Sequence, residues 1–244
     1  MHSSLEKILK MDGFKFSGDR NLVCDWNLIK SAPLENTKYY FLKNEAEVFS
    51  GLEFKKNNAQ SFKKDYLPLV EQAQKKIAFL DRDGILVEDT DYPGKIEDII
   101  FNESVLPLLN FLKKSGFEFI VLTNQSGIAR DKYTEKDFVQ TTAYIKDYYS
   151  HLGIEILDTY FCPYHIKGSI ERYKKPSFLR KPSPGMALKA AEDHDIDFSK
   201  SIMIGDKLTD ILEVSFLKYF ILKDQDHPSC YKSFEDMIDP ISKL

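Results

Sequence analysis

The sequence predicts an α/β protein with a three-layer architecture, a doubly wound parallel sheet between two layers of helices. From Lys76 onward, short apolar runs alternate with longer amphipathic ones. The apolar runs are continuous, which is typical of strands buried on both faces. Because helical segments separate successive strands, the strands should run parallel, with helices on both faces of the sheet. The segment between Gly84 and Thr123 is too short to hold a large cap domain.

The apolar and amphipathic runs give the elements in order. Strands are expected at Ile77–Leu80, Phe117–Leu122, 155–162 and Ser201–Gly205, with 219–222 as an edge strand. Helices are expected over Ser104–Lys114, 134–153, 185–196 and 209–217, with a short docking helix within 233–244. Each of the first two helices has a hydroxyl residue as its candidate N-cap and a glycine past its end: Ser104 and Gly116, Thr134 and Gly153.

Length and the pattern of apolar and polar residues divide the chain into three parts, residues 1–75, 76–224 and 225–244. The 244 residues suffice for one domain of ordinary size plus an appendage. Residues 1–75 hold the only tryptophan, Trp26, among many other aromatics. We therefore expect this N-terminal extension to be a small subdomain or a packed arm rather than a linker. It contains no functional motif, and the one function that we consider for it is contact with another protein.

Composition excludes several classes of protein. No run approaches the ~20 apolar residues of a membrane span, and the first residues lack the layout of a secretory signal. A net charge of -4 argues against a nucleic-acid partner, which usually requires a basic surface. The three cysteines are too few and too scattered for a disulfide framework. We expect a cytoplasmic globular protein.

The strongest motif is Asp81-Arg82-Asp83-Gly84, directly after the first predicted strand. Ligands of open α/β sheets bind beyond the carboxyl ends of the strands. Two carboxylates there can share one divalent cation and one reacting group. The motif alone is weak evidence, because surface loops often contain it.

Three further motifs follow later strands. Thr123 begins a turn whose hydroxyl, amides and backbone N–H groups suit an anionic phosphoryl oxygen. Lys181, next to Arg180, can neutralise charge on a transferring group. Asp206 can supply a hard oxygen ligand to Mg²⁺, whereas Asp210, one turn on, is expected to cap a helix or hold Lys207. Each motif alone also has an ordinary structural explanation, but their joint order does not.

In this order the four motifs resemble those of the haloacid dehalogenase (HAD) superfamily of phosphohydrolases. Residues 76 to about 224 are most similar to the heptose-bisphosphate phosphatase and histidinol-phosphatase branch, through FLDRDG, TNQSGIAR, RKPSPGM and IGDKLTD. The resemblance implies a HAD-like fold and a Mg²⁺-dependent phosphomonoesterase. Its implied substrate is a heptose bisphosphate that loses its 7-phosphate during nucleotide-sugar and surface-polysaccharide synthesis.

The resemblance also implies residue roles. Asp81 would be the nucleophile, Asp83 the general acid and base, and Thr123 and Lys181 the groups that stabilise the phosphoryl group. Mg²⁺ would be held by the Asp81 side chain, the Asp83 carbonyl and Asp206. The implied substrate contacts are Asp89, Tyr92, Asn124, Gln125, Ser126, Arg180 and Lys207.

One expected feature of the heptose-bisphosphate branch is mostly missing. Its structural zinc needs four N or S ligands, but only Cys162 and His165, one residue out of register, are retained here. Tyr164, Ser177 and Leu179 replace the other ligands. We expect no zinc, with Phe178 and Leu179 pinning the loop by packing.

Other functions stay open at this point. The same chemistry could act on histidinol phosphate, another sugar phosphate or phosphotyrosine in a protein. The chain could instead be an inactive scaffold, although retention of Asp81, Asp83 and Lys181 argues against that.

Overall fold

The structure, a computed structural model, describes residues 75–212 and 217–244, together with the backbone of three short strands. These are β1 (Ile29–Lys30), β2 (Tyr40–Lys43) and β3 (Phe49–Ser50), which pair antiparallel in the order β1-β2-β3. The expected subdomain or arm within residues 1–75 otherwise lies outside the described residues. So do residues 213–216 of the helix predicted over 209–217.

The main sheet is parallel throughout, as the sequence predicts. Its strands are β4 (Ile77–Leu80), β5 (Glu118–Asn124), β6 (Ile156–Cys162), β7 (Ile202–Gly205), β8 (Lys218–Leu222) and β9 (Cys230–Tyr231). They pair in the order β6-β5-β4-β7-β8-β9. The first strand of this sheet in the chain is therefore central, and Asp81 follows it directly.

Helices cover both faces of the sheet and confirm the three-layer prediction. They are α1 (Leu106–Lys114), α2 (Ser126–Ala129), α3 (Glu135–His151), α4 (Gly185–Asp193) and α5 (Glu235–Ser242). Successive side chains of a strand point to opposite faces. Ile77 and Phe79 accordingly pack in the core that includes α4, whereas Leu80 packs in the core that includes α1, α3 and α5. No helix in the described ranges is long and apolar enough to cross a bilayer.

Three local predictions are wrong. Residues 219–222 belong to β8, which is not an edge strand because β9 pairs beyond it. Of the helix predicted over 209–217, the described part contains only a 3-10 turn, Leu208–Asp210, which ends at Ile211 in an extended conformation. Ser104 lies inside another 3-10 turn and donates its hydroxyl to Asn102 instead of capping α1. The cap predicted at Thr134 is confirmed, with Asp137 completing a capping box.

Candidate active site

The carboxyl edge of β4, β5 and β7 brings the predicted motifs together around one pocket of about 330 Å³. Leu80 is in register with Val121 and Ile204, so the residues that follow these strands lie side by side. The pocket is lined by Asp81, Asp83, Asp89, Asp91, Tyr92, Asn124, Ser126, Tyr133, Arg180, Lys181, Lys207 and Thr209. Thr123, Gln125 and Asp206 are not among the lining residues, and the first two are buried.

The centre of the site is a buried ion cluster around Lys181, which is only 2 % exposed. Its Nζ lies 2.9 Å from Asp81 Oδ1 and 2.6 Å from Asp210 Oδ1, and it donates to Leu122 O at 2.8 Å. The ammonium therefore has two carboxylate partners and one backbone hydrogen bond. A buried charge that is paired and hydrogen-bonded in this way is held in one geometry.

The cluster shifts the pKa of both its principal members. Burial raises the pKa of Asp81 to about 7 against the attraction of Lys181, and the nearby charges of Asp210 and Asp83 raise it further. Burial would lower the pKa of Lys181, but the attraction of Asp210 and Asp81 outweighs it and the pKa is raised. Lys181 is therefore a fixed cation next to the Asp81 carboxyl group, which is costly to ionise in its buried position.

Asp83 is held through both of its carboxylate oxygens. Arg82 Nε lies 2.7 Å from Asp83 Oδ1, and Gln125 Nε2 donates to Asp83 Oδ2 at 3.0 Å. The same amide donates to Thr123 Oγ1 at 2.7 Å, and the Tyr133 hydroxyl donates to Gln125 Oε1. The resemblance implies Gln125 as a substrate contact, but its side chain is hydrogen-bonded to neighbouring residues in the structure.

Two glycines allow the acidic loops to approach one another. Gly84 has φ +85°, and a Cβ there would lie 2.5 Å from the Asp206 carboxyl group. A Cβ on Gly205 would collide with Asp210 in the same way. These close approaches explain why glycine occupies both positions.

The acidic residues fit a divalent cation. Asp81, Asp206 and Asp210 place one carboxylate oxygen each within 4.8 Å of one another. Asp206 Oδ1 is buried and has no hydrogen-bond donor among the described residues. Burial, with Asp210 and Asp89 nearby, raises the pKa of Asp206 although Lys207 lowers it. Hard oxygen donors of this kind suit Mg²⁺.

Asn124 joins two of the motifs. Its Nδ2 donates to Lys181 O at 3.2 Å, and Lys181 N donates to Asn124 Oδ1 at 3.0 Å. This reciprocal pair fixes the backbone of the Arg180-Lys181 loop against the end of β5.

The rim of the pocket is less buried than its centre. Lys207 Nζ donates to Asp89 Oδ2 at 2.7 Å, with the two side chains 50 % and 38 % exposed. Burial alone would lower the pKa of Lys207, but the hydrogen bond that it donates to Asp89 and the charge of Asp206 raise it. Asp91 and Tyr92 have φ values of 58° and 70°, a strained conformation for residues with side chains.

Two arginines converge on one side of this rim. Arg180 lines the pocket, and Arg130 Cζ lies 6.0 Å from the ring of Tyr92, which also lines it. Burial lowers the pKa of Arg180, and repulsion from Arg130 lowers it further. Within the described ranges neither forms a salt bridge, and Arg130 Nε and Arg180 Nη1 are buried without a hydrogen-bond partner. This pair of cations can receive an anion.

Phe178 and Leu179 pack in the loop between β6 and α4 as the sequence predicts. Phe178 and Leu179 are buried in the same core as Cys162. Lys175 Nζ lies 3.9 Å from the ring centre of Tyr164, and the Tyr164 and Tyr173 rings are 6.1 Å apart. Tyr164 is therefore surrounded by a lysine side chain and an aromatic ring.

The sequence did not indicate the roles of Arg82, Tyr133 and Arg130, nor the pairing of Asp210 with Lys181. Arg82 contacts Asp83 directly, and Tyr133 supports it through Gln125. Arg130 is near Arg180, and Asp210 pairs with Lys181. Asp210 also accepts from Lys207 N at 3.0 Å, so its expected link to Lys207 is present through the backbone. Arg82 and Arg130 lie within the motifs FLDRDG and TNQSGIAR, which was the available signal.

Asp81 and Asp83 follow the central strand of the parallel sheet, and Lys181 lies between Asp81 and Asp210. This is the arrangement expected for the superfamily that the four motifs resemble. The model of the haloacid dehalogenase-like hydrolases matches residues 32–213, and the chain belongs to this family. Within it the chain is a phosphatase, a phosphoric monoester hydrolase.

The relatives are named for one activity. A D-glycero-alpha-D-manno-heptose-1,7-bisphosphate 7-phosphatase of Photorhabdus laumondii is 39 % identical over 56 % of this chain and 74 % of its own length. The D-glycero-beta-D-manno-heptose-1,7-bisphosphate 7-phosphatase of Escherichia coli K12 is 41 % identical over 54 % of this chain and 70 % of its own.

Solved structures share the fold. A protein of Mesorhizobium loti described as a HAD-like phosphatase has a TM-score of 0.61 and 26 % identity, covering 70 % of this chain and 87 % of its own. The D,D-heptose 1,7-bisphosphate phosphatase of B. bronchiseptica, solved with magnesium and phosphate, has a TM-score of 0.57 and 20 % identity. It covers 69 % of this chain and 98 % of its own.

Proposed function

We propose that this phosphatase removes the 7-phosphate of a heptose 1,7-bisphosphate through an aspartyl-phosphate intermediate, with Mg²⁺ as its cofactor. One observation carries the chemistry: Asp81 and Asp83 face the same pocket, with Lys181 Nζ 2.9 Å from Asp81 Oδ1. The names of the relatives support the substrate. Phosphate-monoester hydrolysis is very slow without a catalyst, so a nucleophile that splits it into two steps has a large effect.

In the first step, an Asp81 oxygen attacks phosphorus and the bond to the sugar oxygen breaks. Asp83 gives that oxygen its proton, so the sugar leaves as an alcohol. In the second step, Asp83 takes a proton from water, which attacks the phosphoryl group and releases Asp81 as a carboxylate. The Thr123 hydroxyl donates to a phosphoryl oxygen, and the positive charge of Lys181 stabilises the phosphoryl group in both steps.

Asp81, Asp206 and the Asp83 carbonyl are the proposed Mg²⁺ ligands. When bound, the cation supplies positive charge that offsets repulsion between the phosphate and the attacking carboxylate. The buried Asp206 Oδ1, which lacks a donor among the described residues, supports this set. Asp210 is already neutralised by Lys181 and is better suited to holding that lysine.

The second phosphate of the substrate fits the two arginines of the rim. Arg130 and Arg180 are cations without a salt bridge in the described structure, and Arg180 lines the pocket. A phosphate dianion would satisfy their fixed donors. Asp89, Tyr92, Asn124, Ser126 and Lys207 also line the pocket, and we propose them as contacts to the sugar or its phosphates. Gln125 donates its backbone N–H to Cys162 O at 2.8 Å and its side-chain amide to Asp83, so we propose that it supports the site from behind Asp83 instead of contacting the substrate.

The test is a turnover assay with Mg²⁺ on both anomers of heptose 1,7-bisphosphate, the two heptose monophosphates, histidinol phosphate, other sugar phosphates and a phosphotyrosine peptide. We expect the highest kcat/KM for a bisphosphate, with the 1-phosphate retained in the product. Asp81→Asn should be inactive and should form no acid-stable, hydroxylamine-sensitive phosphoprotein. Preference for another substrate would refute the heptose assignment, and phosphoprotein formation by Asp81→Asn would refute the nucleophile. We also propose a cytoplasmic location, which cell fractionation tests.

A further inference from the structure

Among the described residues Arg82 is the largest fully buried side chain, although it carries a charge next to the pocket. It is 2 % exposed and does not line the pocket itself. Its Nε lies 2.7 Å from Asp83 Oδ1, and its Nη2 donates to Pro93 O at 2.8 Å. The guanidinium carbon is 5.6 Å from the centre of the Phe138 ring. Arg82 therefore points away from any substrate and toward α3.

Behind Arg82 lies a cavity of about 10 Å³ between β5, α3 and β6, which Thr142 and Thr159 also line. Each of these three lining residues has one buried polar atom without a hydrogen-bond partner in the part of the chain that the structure describes: Arg82 Nη1, Thr142 Oγ1 and Thr159 Oγ1. A cavity of this size has room for about one water molecule, which needs two to four polar partners. The guanidinium donates, and each hydroxyl can donate or accept.

We propose that Arg82 is the positioning residue of Asp83, and that a single buried water between Arg82, Thr142 and Thr159 anchors its guanidinium. The inference rests on the proposed function, because it assumes that Asp83 is the general acid and base. The water satisfies three polar atoms that would otherwise each be costly to bury.

Positioning matters because Asp83 lies on a loop, where its side chain would otherwise sample several rotamers. A general acid must stay within hydrogen-bond reach of the atom that it protonates. Arg82 holds Oδ1 while Gln125 holds Oδ2, so the carboxyl group is oriented from two sides. The planar fork of arginine can reach Asp83, Pro93 and the cavity at once, whereas the single ammonium of lysine cannot.

The experiment compares the intact chain with Arg82→Lys, which keeps the charge but loses the fork. The substrates are a sugar phosphate, whose leaving alkoxide needs a proton, and p-nitrophenyl phosphate, whose leaving group does not. The kcat/KM value reports the first chemical step for both. We expect kcat/KM on the sugar phosphate to fall by about 10- to 100-fold, with a change below about 3-fold on p-nitrophenyl phosphate. An equal loss on the two substrates would overturn the positioning role, because a general structural defect affects both.

The anchor is tested by the double variant Thr142→Val/Thr159→Val, which keeps shape but removes the two hydroxyls. Thr141→Val is the matched control, since Thr141 is buried on the same helix but donates to Phe138 O. The double variant should lose about 3- to 10-fold on the sugar phosphate only, and the control should lose nothing. A high-resolution crystal structure should show the water in the intact protein and not in the double variant. A dry cavity in the intact protein would overturn the anchor.

Asp83→Asn separates this inference from the proposed function. If Asp83→Asn shows no selective loss on the sugar phosphate, the general-acid assignment fails and the inference fails with it. If Asp83→Asn shows that loss and Arg82→Lys does not, the proposed function stands and the inference alone is wrong.

Discussion

The centre of the site and its rim differ in how far their charged side chains are buried and paired. At the centre, Lys181 and Asp210 are 2 % and 0 % exposed and contact each other directly. At the rim, Lys207 and Asp89 form a pair that is about half exposed, and Arg130 and Arg180 have no acidic partner within the described ranges. The lysine at the centre is thus paired before substrate binds, whereas the rim has positive charge without an acidic partner in the described ranges.

This difference separates chemistry from recognition. Groups that act on the phosphoryl centre gain from being fixed in advance, since no reorganisation is needed during the reaction. Groups that recognise the rest of the substrate gain from being available to it. Breaking each kind of pair should therefore have effects of very different size.

The largest effect is expected for Lys181→Met. It leaves Asp81 and Asp210 as buried carboxylates without their cation, so the free energy of unfolding should fall by about 3–5 kcal/mol. Urea denaturation measures this change. Lys207→Met is the matched control, and it should cost less than about 1 kcal/mol because its pair is solvated.

Adding Asp210→Asn to Lys181→Met checks the cause of that loss. The second change removes one of the stranded charges, so the double variant should be more stable than Lys181→Met alone. A double variant that is less stable would show that lost packing, not stranded charge, is the reason.

A pH-dependent effect of a few kcal/mol follows from Asp81. Burial raises its pKa in the folded chain from 3.8 to about 7. The folded state thus holds a proton that the unfolded state has released between these values, so the stability contributed by this group is lost as pH rises from about 4 to 7. In chelator, Asp81→Asn should match the intact protein at pH 4 and be more stable by roughly 2–4 kcal/mol at pH 8. Equal stability of the two proteins at pH 8 would contradict the raised pKa.

The sequence was sufficient to predict how the fold assembles the site. Continuous apolar runs such as Ile77–Leu80 predict buried parallel strands, and parallel strands bring their carboxyl ends to one edge. Asp81, Thr123 and Asp206 could therefore be placed together without a structure.

Side-chain direction could not be predicted in the same way. Arg82 stands between two acidic residues, and only the structure shows it turned away from the pocket to hold Asp83. Asp210 lies in a segment predicted as helix, but its carboxylate bonds Lys207 N and pairs with Lys181, and the chain forms only a 3-10 turn there. Long-range contacts overrode local propensity at both positions.

Arg130→Gln and Arg180→Gln test whether the rim arginines bind the second phosphate. Each removes a donor for the second phosphate, so the ratio of kcat/KM for heptose 1,7-bisphosphate to that for the 7-monophosphate should fall by about 10- to 100-fold. Arg172→Gln removes an exposed arginine that lies over Tyr173, and it should leave the ratio unchanged. If Arg130→Gln and Arg180→Gln lower both kcat/KM values equally, the arginines do not recognise the second phosphate.

The smallest effect is expected for the Lys207–Asp89 pair. A double-mutant cycle with Lys207→Gln and Asp89→Asn should give a coupling energy of about 0.2–1 kcal/mol in unfolding, since exposed ion pairs gain little from their attraction. Because salt screens exposed charges, the coupling should vanish at about 1 M NaCl. The same cycle on Lys181 and Asp210 should keep most of its coupling at that salt concentration, because both groups are buried. If the two couplings respond equally to salt, the centre and the rim do not differ in solvation, and the division between fixed chemistry and open recognition is wrong.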